Sequence, residues 1–137
     1  MFEQDYLVRL LSDFAAAIRR SIQRAEDRHD PSDAADAARM LESAVGNATD
    51  LDGGVLLSLS PGSIAGVLEV AGTDPHVTEY IARSLLLASR YHAEAGEDET
   101  ADLRRAQAHA VAEAYGHDLS GSDISTEAME ELFARPC

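Results

Sequence analysis

The chain has 137 residues, the size of one domain, and can bury about two thirds of its unfolded surface in a single core. Its formal charge of -14 comes from 25 acids against 11 basic side chains, every one an arginine. The absence of lysine excludes a phosphate-loop lysine, a Schiff base and a Ser-Lys dyad, and so acidic a chain is disfavoured as a nucleic-acid binder, whose affinity comes from Lys and Arg.

Apolar residues make up 45% of the chain and are mostly Ala and Leu, with three Phe, four Tyr and no Trp, a mix that favours helices. Residues 2 to about 28 read as one long helix. Phe2, Tyr6, Leu10, Phe14, Ile18 and Ile22 recur every four positions, and Leu7 and Leu11 widen the stripe. At 1.5 Å per residue this helix is roughly 40 Å long, more than a compact domain of this size needs. The stripe is therefore the expected interaction surface, packing partly on its own domain and partly on a second copy. The same segment carries five of the arginines (9, 19, 20, 24, 28) against five acids, while 29–137 carries six against twenty. No stretch approaches the roughly 20 apolar residues of a membrane span and the opening lacks a signal-peptide pattern, so a cytoplasmic location without a membrane partner is expected.

Three prolines follow cap-forming residues, as Asp30-Pro31, Ser60-Pro61 and Asp74-Pro75, and mark helix starts. The first opens a helix over 31–46, closed by Gly46-Asn47. Within 48–60, Leu51, Val55, Leu56, Leu57 and Leu59 suggest a short helix weakened by Gly53-Gly54. A third helix covers 61–71 and stops at Gly72. The most apolar spans 75–95, with Val77, Ile81, Leu85, Ala88 and Tyr91 on one face and Leu86 and Leu87 spreading apolar character round it; this is the expected central helix. After Gly96, with Asp98 as cap, a helix follows over 99–115 and ends at Gly116, so that 75–116 forms an antiparallel hairpin. Ser125 opens a last helix over 126–134, with Ala128, Met129, Leu132 and Phe133 on its inner face.

Within that hairpin, Leu87, Ala88 and Tyr91, then a glycine turn, then Ala101, Ala108 and Ala112 form a pattern similar to the tetratricopeptide repeat, in which small residues let two helices cross closely. The aromatic start and closing proline are missing and the pattern does not recur at 34-residue spacing. The opening M-F-E-Q-D-Y-L-V-R-L resembles the start of an uncharacterised bacterial family built from a long amphipathic helix followed by helical hairpins. These resemblances imply an all-α fold of six or seven helices in stacked antiparallel hairpins, and transfer no catalytic residue.

Site chemistry is sparse. His109, Glu113 and His117 fall at i, i+4 and i+8, a spacing zinc helices use, but Gly116 interrupts the run and there is no H-E-x-x-H or cysteine pair. A calcium loop starting at Asp50 would place Pro61 where the bidentate glutamate must stand. Ser60-Pro-Gly-Ser63 reads as an ordinary cap, and Cys137, the only cysteine, can form no internal disulfide. No catalytic residue and no cofactor are assigned. The expected function is a non-catalytic protein-protein interaction or scaffold protein, self-associating as a homodimer through the first helix. The alternative is an enzyme or small-ligand binder with a pocket between hairpins lined by Tyr80, Tyr91, His92, His109 and Tyr115.

Overall fold

A computed structural model describes residues 2–27, 31–49, 51–117 and 119. The described residues form six helices and no strand: α1 (Phe2–Asp27), α2 (Pro31–Ala48), α3 (Gly53–Leu57), α4 (Pro61–Val70), α5 (Pro75–Glu94) and α6 (Asp98–Tyr115). The all-α reading therefore holds. The expected helix over 126–134 lies outside the described residues.

Pro61 and Pro75 both open helices, but Ser60 makes no side-chain capping bond and its hydroxyl instead donates to Ser63 Oγ at 2.9 Å. Asp74 stands before Pro75 and its carboxylate accepts from the His76 amide at 2.8 Å, taking up one of the helix's unpaired N–H groups. Asp52 caps α3 in the same way, accepting from the amides of Gly54 and Val55. This acid therefore serves a helix start and leaves no role for it in a cation loop.

Two boundaries differ from expectation. The second helix does not close at Gly46 but runs on to Ala48. Gly46 serves packing: a Cβ there would lie 3.1 Å from the Cα of Gly53, so the two glycines let α3 press its backbone onto α2. The sixth helix starts one residue early, with Glu97 at the cap position and Asp98 inside the first turn. The Glu97 side chain makes no capping bond because it turns back to His92.

α1 and α2 form one antiparallel hairpin and α5 and α6 another. α2 packs on α5, and α4 covers α6. Arg24 fastens the first hairpin by bonding Asp36 at 3.0 Å and lying 3.4 Å from the buried Asp33. The core draws on all six helices and on Leu119. α5 is its centre, with Val77, Ile81, Leu85, Leu87, Ala88 and Tyr91 all buried. The residues that resemble a tetratricopeptide hairpin (Leu87, Ala88, Tyr91, Ala101, Ala108, Ala112) are likewise buried. That likeness rests on one hairpin, since α3 and α4 separate it from the α1–α2 pair. Among the described residues no helix is long and apolar enough to cross a membrane.

Candidate functional site

The densest polar chemistry lies where α2, the α5–α6 turn, α3 and α6 meet. Glu42 projects from α2, flanked by the core residues Leu41 and Val45. His92 occupies the last turn of α5, Glu97 the cap position of α6, and Arg104 and Gln107 share a face of α6 at i and i+3. His92 Nε2 lies 2.6 Å from Glu42 Oε2 and its Nδ1 lies 2.8 Å from Glu97 Oε1. Arg104 Nε donates to the same Glu42 oxygen at 2.6 Å, and its Nη1 donates to the Leu57 carbonyl at 2.7 Å and to Gln107 Oε1 at 3.0 Å. Gln107 Nε2 in turn donates to the carbonyls of Leu57, the last residue of α3, and Leu59, two residues beyond it.

Both ring nitrogens of His92 face carboxylate oxygens, an arrangement that favours the doubly protonated imidazolium. Burial pulls its pKa down, but the hydrogen bonds to Glu42 and Glu97 outweigh this and hold the pKa above the usual histidine value. Glu42 is the mirror case. Burial opposes its charge, yet hydrogen bonds from His92 and Arg104 bring its pKa below the usual glutamate value. The cluster thus pairs two cations with two carboxylates, and every ring or guanidinium contact named here is spent on a neighbour. A carboxylate held ionised and an imidazole held doubly protonated are poor general bases. The arrangement is a clamp joining four elements.

Beside it, Arg39, Glu42, Asn47, Leu57, Thr100 and Arg104 line an open groove of about 730 Å³ between α2, α3 and α6. A second groove, of about 460 Å³, runs between the start of α1, the end of α2 and the α4–α5 turn, and its walls include Tyr6, Leu7, Leu10, Leu51 and Val77.

The sequence-derived site residues separate. Of the first-helix stripe, Phe14, Ile18 and Ile22 are buried in the chain's own core, with Phe14 edge-on to Tyr80 at 5.8 Å. These three cannot face a partner without unfolding the hairpin. Leu10 is half-buried and Tyr6 is 62% exposed, so the accessible part of the stripe is its beginning. The side chain of Phe2 lies outside the described residues. The proposed pocket residues do not converge: Tyr80 and Tyr91 are core, His92 belongs to the clamp, His109 is exposed, and Tyr115 stacks on His117 with ring centroids 6.0 Å apart. The His109–Glu113–His117 spacing is broken because Gly116 takes a left-handed φ of 73°. His117 then turns to α5, where its Nε2 lies 2.9 Å from Thr78 Oγ1, while His109 and Glu113 stay exposed on α6. Among the described residues no cluster of three or more His, Cys, Asp or Glu could hold a metal.

No protein-family model matches this chain, and no curated protein or solved structure does either. Glu42, Glu97, Arg104 and Gln107 were not singled out by sequence reading. Their only signal is an acid on the apolar arc of α2, because their partners lie dozens of residues away.

Proposed function

We propose that this chain is a non-catalytic interaction protein whose first partner is a second copy of itself, met through the opening turns of α1. The observation that carries this reading is the division of the α1 stripe. Its inner half is consumed by the core, while Tyr6 stands 62% exposed on the wall of the apolar groove with Leu7 and Leu10. A two-fold contact there places the same patch on both copies. The saturated clamp supports a non-catalytic role, since its strongest side chains are already committed to one another.

Sedimentation of the full chain and of a Tyr6→Asp/Val8→Asp variant tests this. The native chain is expected to dimerise with rising concentration and the variant to stay monomeric with an unchanged far-ultraviolet spectrum. Two monomers of equal fold would overturn self-association through this helix. A second reading, a small polar ligand in the groove between α2, α3 and α6, is favoured by that groove's volume, which falls in the range of small-molecule sites. A thermal-shift screen with metabolites separates the two.

A further inference from the structure

The groove between α2, α3 and α6 differs in charge from the chain as a whole. Across the sequence 25 acids stand against 11 basic side chains. The groove walls instead hold two arginines, Arg39 and Arg104, and one acid, Glu42. That acid is already answered, because its Oε2 accepts from Arg104 Nε at 2.6 Å and lies 2.6 Å from His92 Nε2. A ligand entering here meets positive charge and no unpaired carboxylate, the local field that an anion needs in an acidic protein.

The two arginines differ in freedom. Arg104 is 11% exposed and held by the bonds from Nε and Nη1 described above, in none of which its Nη2 takes part. Arg39 is 60% exposed, and its Nη2 donates to Asp36 Oδ1 at 3.3 Å, three residues back on the same helix. Exposed pairs of this kind contribute little to stability. The other oxygen of Asp36 accepts from Arg24 at 3.0 Å. Arg39 can therefore turn away without leaving that acid unpaired, and is a cation the fold can spare.

Helical spacing supplies the remaining contacts. Arg39, Ser43 and Asn47 are exposed at i, i+4 and i+8 on α2 and line one wall, while Thr100, Leu103 and Arg104 line the α6 wall at i, i+3 and i+4. The Ser43 and Thr100 hydroxyls and the Asn47 amide can donate to an oxyanion, a guanidinium can grip it through two N–H groups, and Leu103 offers apolar surface to a carbon body. We infer that this groove binds a small organic anion, with Arg39 turning from Asp36 to take its carboxylate or phosphoryl group and Ser43, Asn47 and Thr100 completing the shell. Such a site rests on the small-ligand reading given above, narrows it to anions, and is independent of the dimer at α1.

Titration of the isotope-labelled full chain with hexanoate and, separately, with glycerol phosphate at fixed ionic strength tests this, with hexanamide and glycerol as neutral counterparts. At least one anion is expected to give saturable amide shifts at Ser43, Asn47, Thr100 and Leu103 and none at Tyr6, Ile18 or Gly116, and the arm that responds tells carboxylate from phosphoryl recognition. Binding should be about tenfold or more tighter than that of the neutral counterpart, the factor expected of a hydrogen bond to a charged group. Arg39→Gln should remove this advantage while leaving the rest of the spectrum in place, since Asp36 keeps Arg24. Asp36→Asn, which releases Arg39, should tighten binding. Unchanged binding in Arg39→Gln, weaker binding in Asp36→Asn, or no saturable shift in the groove with either anion would overturn the anion site. If a neutral compound binds the groove as well as its anion, or a neutral metabolite in the thermal-shift screen binds where both anions fail, the anion site falls while the small-ligand reading stands.

Discussion

Replacing Glu42 with alanine removes the one carboxylate that both His92 and Arg104 share. The side chains are only 16%, 6% and 11% exposed for Glu42, His92 and Arg104, so solvent entering from the neighbouring groove replaces the lost carboxylate only in part. Leaving a buried cation without its partner costs about 3–5 kcal/mol, whereas an exposed pair would cost under about 1 kcal/mol. A domain of this size has about 5–15 kcal/mol in total, so the variant should lose a large part of its stability. At a urea slope of about 2 kcal/mol/M, the unfolding midpoint should fall by about 1.5–2.5 M. A fall under about 0.5 M would show that the cluster behaves as surface charge and refute the clamp.

The same clamp has a pH signature, read best as the stability difference between the native chain and His92→Gln. The folded pKa of His92 is raised above 6.5, so its contribution is fully present below 6.5 and is lost as pH rises through the folded value. The folded pKa of Glu42 is lowered below 4.5, so its contribution is present above 4.5 and is lost as pH falls through the folded value. The difference should therefore be widest between these limits and shrink on both sides. His117 runs the other way, because burial lowers its pKa and its contribution is lost as pH falls from 6.5, but it is common to both chains and cancels. A difference that stays flat as pH rises past neutrality would mean that His92 is not held protonated.

Two further predictions concern packing. Gly66→Ala in α4 meets nothing within 4 Å and should stabilise by up to about 1 kcal/mol through helix propensity, while Gly46→Ala meets the backbone of Gly53 and should destabilise despite the same propensity gain; equal signs in urea unfolding would refute the close α2–α3 contact. The Ser84 hydroxyl is buried with no hydrogen-bond partner among the described residues, so Ser84→Ala should raise stability by about 1 kcal/mol, and a loss of stability on the same assay would reveal a partner.

The helices were legible because their signals are local. Pro31, Pro61 and Pro75 start helices, Gly72, Gly96 and Gly116 reverse the chain with positive φ, and the four-residue apolar period marks the buried face of α1. Gly46 misled because a glycine that ends a helix and one that admits a neighbouring backbone look alike until the neighbour is known. The outer and inner parts of the α1 stripe were indistinguishable for a related reason. Tyr6 and Ile18 obey the same period, and only the length of α2 alongside decides which is covered. The clamp was invisible because its members, Glu42, His92 and Arg104, are brought together by the crossing of three helices and share no spacing.

The missing lysines have a counterpart in this clamp. Arg104 serves acceptors on different elements at once, with Nε on Glu42 in α2 and Nη1 on the Leu57 carbonyl and Gln107. A planar guanidinium holds these directions fixed, whereas an ammonium is a point charge on a flexible stem that can satisfy them only by moving. Arg24 reaches both Asp33 and Asp36 through one guanidinium nitrogen, Nη2, where α1 ends and α2 begins. In a chain of charge -14, where carboxylates outnumber cations by more than two to one, each buried cation that bridges two acceptors does more to hold helices together than one that meets a single acid. Arg104→Lys should therefore behave more like Arg104→Ala than like the native chain in urea unfolding, and a lysine variant of native stability would show that charge alone, without the fork, holds α3 and α6 to α2.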